Sequence, residues 1–150
     1  IVAEGLLSAL GIGFAEELVF RGWLLDELQR DYNDRISLWA NSLLFALSHF
    51  IKPVATMLRS WPQFPGLLLL ALILVWGKRS RQNRLGLPIG FHAGLVWGYY
   101  MINVGELVRY SGSVPDWITG VNGNPLAGAI GLLFLGTLAF AMRKSTDFRF

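Results

Sequence analysis

The sequence predicts an all-α, polytopic membrane helix bundle, and three observations carry that prediction. Hydrophobic residues make up 53% of the 150 residues against 15% charged, with a mean hydropathy of +0.46, an apolar excess over the ordinary soluble balance. The apolar residues are gathered into long segments separated by short charged loops, the pattern required of helices that need about 20 largely apolar residues to cross a bilayer. Lysine and arginine also alternate between loops. If the loops at 26–35 and 78–84 and the C-terminal tail share one side, they hold Arg30, Arg35, Lys78, Arg79, Arg81, Arg84, Arg143, Lys144 and Arg149, whereas the other side holds Lys52, Arg59 and Arg109. The positive-inside bias then puts the loop 78–84 and the tail 143–150 in the cytoplasm.

About five apolar helices are expected. The first runs from about Val2 to Leu25 and carries Gly5, Ala9 and Gly13 at four-residue spacing, small residues that let a neighbouring backbone come close. The second runs from about Ile36 to Ile51 and extends past Pro53 towards Leu58. Pro62 and Pro65 punctuate the chain, so the third, Pro65 to Gly77, has only 13 residues. That is short for a span, and it either borrows residues near Trp61 or is re-entrant. The fourth runs from about Leu85 to Val104, and its row Gly90, Gly94 and Gly98 predicts a helix packed inside the bundle. The fifth runs from about Pro125 to Met142. Residues 1–150 read as one domain without repeats. The chain opens at Ile1 in apolar sequence, with no Met and charged flank, as a domain cut from a longer membrane protein would.

Composition also narrows the function. There is no cysteine, which removes disulfides, thiolate metal sites and a cysteine nucleophile. The net charge of +3 and pI near 9.6 come from basic residues at segment ends, so no nucleic-acid partner is expected. The expected surroundings are a lipid bilayer.

The informative residues are the polar ones inside apolar segments. A charged side chain near the bilayer centre costs about 2.5 kcal/mol or more, so Glu16, Glu17 and Arg21 must compensate one another or face a wet cavity. Glu17 and Arg21 stand at i, i+4 with the acid first, the favourable order for a helical ion pair. Glu16 lies about 100° round the helix from Glu17 and has no local partner. The chain has two histidines, His49 and His92, both in apolar segments, and His49 shares a helical face with Phe45 and Asn41. A carboxylate and two imidazoles form a hydrolytic set. The glutamate can take a proton from water while one imidazole orients that water, and the other can face the oxyanion of a peptide carbonyl. The same three groups could form a two-histidine, one-carboxylate zinc site with an open fourth position. The cofactor is therefore none or a single zinc ion, although the helical HExxH signature is absent.

Three short motifs occur in order on separate apolar segments: EELVFR at 16–21, FALSH at 45–49 and HAGLV at 92–96. Together they resemble the CAAX-protease and bacteriocin-processing (CPBP, Abi) family of intramembrane proteases, over residues from about 5 to 105. The resemblance implies a multi-span helical bundle with its site in a membrane cavity reached from the cytosolic side. It also implies a peptide or protein substrate, membrane-associated, prenylated or leader-type. Glu16 would be the water-activating base helped by His49, with His92 at the oxyanion. Glu17 and Arg21 would support them, and Phe45 would pack beside the site. The third motif departs from the family at Val96, where a polar residue is usual, and Asn103 lies about 16 Å along the helix from His92, too far to replace it. That departure keeps open a non-catalytic scaffold or chaperone that binds a partner in the same polar cavity.

Overall fold

The structure is a computed structural model and describes residues 1–147. It is all-helical, with no strand among the described residues. Helix α1 (Val2–Glu17) continues without a break through a wider π-helical turn, Leu18–Leu24, into α2 (Leu25–Asp31). Asn33 caps the next helix, its side-chain oxygen accepting the N–H groups of Arg35 and Ile36 at 3.1 and 3.0 Å, and α3 spans Asp34–Ser48. Then α4 (Val54–Ser60), a 3₁₀ turn (Trp61–Gln63) and α5 (Phe64–Arg79) join end to end. Helix α6 (Gly86–Asn103) follows. A long connection holding the short α7 (Asp116–Thr119) and a 3₁₀ turn (Pro125–Ala127) leads to α8 (Ala129–Asp147).

The third apolar segment does borrow from the residues near Trp61. Val54–Arg79 forms 26 continuous helical residues, the one described helix long and apolar enough to cross a membrane. Pro62 and Pro65 do not interrupt it, because each sits in the first positions of its helical turn, where a missing N–H leaves no bond unmade. The fifth segment starts its helix at Ala129, four residues later than the apolar pattern does, since Pro125–Ala127 forms the 3₁₀ turn.

Helix α5 is the central element. It packs Leu67, Leu70, Ala71 and Leu74 against Phe45, Ala46 and Phe50, and Ile73 against Leu135, Ala139 and Met142 of α8. Helix α1 lies along α6, where Gly13 faces the backbone of Ala93 so closely that an added Cβ would stand 2.9 Å from its nitrogen. The first small-residue row is thus a helix contact.

The second row is not. An added Cβ at Gly90, Gly94 or Gly98 would meet nothing within 4 Å, and the buried residues of α6 are Pro88, His92 and Ala93. The expectation of a fourth helix sunk in the bundle fails because four-residue spacing records a bare helix face without fixing what lies opposite. Here it is open space.

Charged and polar side chains lie inside the molecule among the apolar core, and several large apolar ones lie outside. Glu17, Arg21, Ser37, Asn41 and Ser42 are fully buried, whereas Leu7, Phe14, Trp23, Leu133, Phe134 and Phe140 are each more than half exposed. Arg79 donates to the Asp34 carbonyl at 2.9 Å and Thr146 to that of Trp76 at 3.4 Å. The α2–α3 turn, the 78–84 loop and the end of α8 therefore gather at one end of the bundle. Of the tail in the charge pattern, Arg149 lies outside the described residues.

Candidate active site

The site begins with a periodicity. The buried positions of the first helical rod are Gly5, Ala9, Gly13, Glu17, Arg21 and Leu25, every fourth residue. In an α-helix each step of four advances about 40° round the axis, so such a stripe winds away from a fixed neighbour. The π turn at Leu18–Leu24 takes up extra chain and so turns the stripe back. Glu17, Arg21 and Leu25 consequently all face inward.

Arg21 donates to Glu17 Oε1 at 3.0 Å and to the Ala71 carbonyl at 3.3 Å, with neither side chain of the pair exposed. The same Oε1 accepts from His92 Nδ1 at 2.8 Å. A carboxylate oxygen only accepts, so Nδ1 carries the hydrogen and the His92 ring is turned with Nε2 away from Glu17. His49 Nδ1 likewise donates to the Phe45 carbonyl at 2.9 Å. Both Nε2 atoms point towards Glu16, whose Oε2 stands 3.9 Å from His49 Nε2 and 3.8 Å from His92 Nε2. That Glu16 oxygen is buried and has no hydrogen-bond partner. Phe45 fills the centre of the cluster. Its ring lies 4.7 Å from that of His49 and 5.8 Å from that of His92, with the Arg21 guanidinium 4.2 Å from its centroid.

All six residues singled out from the sequence, Glu16, Glu17, Arg21, Phe45, His49 and His92, therefore meet in one cluster. Counted from the helix ends by residue number, His92 lies shallower than Glu16 and His49. The helix itself is inset: Leu85, just before α6, lies against Gly22, so α6 begins roughly 13 Å short of the end of α2. Residues not singled out also contribute. The Ala71 carbonyl receives Arg21, and Lys78, counted above as a loop charge, is buried.

A cavity of about 510 Å³ adjoins both histidines. Leu67, Leu70, Leu95, Val96 and Leu126 wall it, the bare faces of Gly94 and Gly98 leave it room, and Lys52, Gln63 and Asn124 also line it. Its volume lies in the range of ordinary ligand pockets. Lys52 and Gln63 lie at the end of the bundle opposite the 78–84 loop, so the cavity leads away from the basic end. Towards that loop, Lys78, Arg21 and Pro88 are buried. Val96 presents an apolar wall, and Asn103 donates to the Tyr99 carbonyl of its own helix at 3.0 Å.

The set of two imidazoles and a carboxylate suits zinc in chemistry. Bonds of about 2.0–2.1 Å in a tetrahedral site would hold the donors about 3.3 Å apart. The separations here are wider, and among the described residues no His, Asp or Glu group is spaced to hold a metal ion.

Neither a curated protein nor a solved structure matches the chain. Residues 1–98 match the family described as type II CAAX prenyl endopeptidase Rce1-like. That match takes in both glutamates, Arg21, Phe45 and both histidines. The chain therefore belongs to the Rce1-like type II CAAX prenyl endopeptidases, a family of membrane-embedded proteases.

Proposed function

We propose that residues 1–150 act as a multi-pass intramembrane endopeptidase domain that hydrolyses a peptide bond of a membrane-associated, prenylated or leader-type substrate with water activated by Glu16. One observation carries the reading: the unpartnered, buried Glu16 Oε2 stands less than 4 Å from the Nε2 atoms of both histidines, beside an apolar cavity. A water about 2.8 Å from each partner bridges a gap of that width. It gives one hydrogen to Glu16 and the other to His49 Nε2, which leaves a lone pair directed into the cavity.

Glu16 takes the proton as the water oxygen bonds to the carbonyl carbon, and His92, bearing hydrogens on both nitrogens, faces the developing oxyanion. Glu16 and Glu17 on either side of that ring offset its charge. When the C–N bond breaks, Glu16 returns its proton to the leaving amine, and the products are a new carboxyl group and a new amino terminus. Val96 offers no hydrogen bond, so His92 serves the oxyanion alone. The zinc alternative is less favoured because the donors stand too far apart. The several-span topology is supported by the outward-facing apolar side chains of α1, α3 and α8 and by the charged and polar side chains buried between the helices.

The test is cleavage of a membrane-inserted prenylated peptide by purified protein in proteoliposomes. Glu16→Ala, His49→Ala and His92→Ala should each lose activity by about 10²-fold or more while keeping the wild-type elution profile. Wild-type cleavage by all three would remove the reading.

A further inference from the structure

The π turn leaves a debt of one hydrogen bond. At Leu25 the backbone N–H still reaches back five residues to the Phe20 carbonyl. From α2 onward the α-helical reach of four residues resumes, and where it follows a reach of five one carbonyl between the two registers is left without a helical N–H. The carbonyl of Arg21 is passed over. Such a group inside a bundle is costly unless another donor finds it.

Two donors from distant helices address this turn. Lys78 Nζ, on a side chain only 3% exposed, reaches the Arg21 carbonyl at 2.6 Å and is also paired with Asp26. Asn41 Nδ2, on a fully buried side chain of α3, gives the Phe20 carbonyl a second hydrogen bond at 2.6 Å. We infer that Lys78 and Asn41 are positioning residues: by capping these two consecutive carbonyls they hold the π turn in place. That keeps the Arg21 guanidinium on Glu17 and so fixes the orientation of His92. Neither residue touches the reacting atoms. The inference rests on the hydrolase reading above, and it commits Lys78 to the interior as part of the site's support.

The test removes the donors and watches His92 as well as turnover. With two histidines in the chain, ¹⁵N-histidine labelling gives two imidazole environments, assigned with His49→Ala. Lys78→Met leaves Asp26 solvated, since that carboxylate is 59% exposed, so no charge is stranded. In detergent micelles, Lys78→Met and Asn41→Leu should each move the His92 Nδ1 signal and leave that of His49 in place. On the prenylated peptide they should lower kcat about tenfold or more with KM within twofold. Lys78→Arg, which restores a cationic donor, should recover most of both. Leu38→Ala supplies the comparison for plain loss of packing, because Leu38 lies in the buried cluster with Leu25 and its apolar side chain donates to neither carbonyl. It should lower the melting temperature without moving the His92 signal.

The proposal is overturned if folded Lys78→Met keeps the wild-type His92 signal, or if Leu38→Ala shifts that signal as far. Should the wild-type protein cleave nothing, the hydrolase reading fails, while the His92 signal still decides whether the clamp exists.

Discussion

Replacing Arg21 by methionine gives the sharpest stability prediction. Arg21 and Glu17 are 3.0 Å apart with both side chains at 0% exposure, and the guanidinium also reaches the Ala71 carbonyl and lies over the Phe45 ring. Arg21→Met leaves Glu17 buried without its cation, which costs roughly 3–5 kcal/mol when one partner of an interior pair is removed. Glu17→Gln alone strands the arginine and should cost a similar amount. The double variant Glu17→Gln/Arg21→Met removes both charges from the interior and should be less destabilised than either single change, a coupling of about 2 kcal/mol or more. The exposed pair Arg30–Glu27, at 73% and 49% exposure, sets the scale, and Arg30→Met should cost only about 0–1 kcal/mol. Denaturant unfolding of the purified proteins in one detergent, followed by circular dichroism, measures all four. Equal effects of Arg21→Met and Arg30→Met, or a double variant as unstable as the sum of its singles, would refute the reasoning.

Three further outcomes are expected. Gly13→Val should separate α1 from α6 and lower stability, because its side chain would meet the Ala93 backbone, whereas Gly94→Val should fold normally and raise KM by narrowing the cavity. Thermal melts and steady-state kinetics on both variants separate these effects. Because the chain has no cysteine, Lys52→Cys and Arg81→Cys can each be labelled alone. In oriented vesicles an impermeant maleimide should reach them from opposite faces, and labelling of both from one face would refute the proposed topology. A strong chelator should leave peptide cleavage unchanged, and loss of activity restored by zinc would instead favour the metal alternative.

Much of the helical order could be read from the chain, because apolar runs bounded by charge leave few other folds open. The polar residues that cluster were legible for the same reason, since Glu16, His49 and His92 lacked any local partner in apolar surroundings. What could not be read was relative placement. The π turn has no signature in LVFRGWL, because the donors that accommodate it come from Asn41 and Lys78 on other helices. Lys78 reads as a loop charge beside Arg79 and Arg81, although its ammonium lies inside. The row Gly90, Gly94 and Gly98 has the spacing of the row that packs α1, yet spacing does not say whether a bare face meets a helix or a cavity. Pro65 reads as a break because composition does not distinguish an internal proline from one in the first helical turn.

The most direct measurement is a single turnover of the prenylated peptide in ¹⁸O water by the wild type and by Glu16→Gln, with the product carboxyl group weighed by mass spectrometry. Wild type should place one heavy oxygen in the new carboxyl group. Glu16→Gln, which keeps the shape but cannot take the proton, should be slower by about 10²-fold or more. Cleavage by Glu16→Gln at the wild-type rate would contradict the assignment of Glu16 as the base.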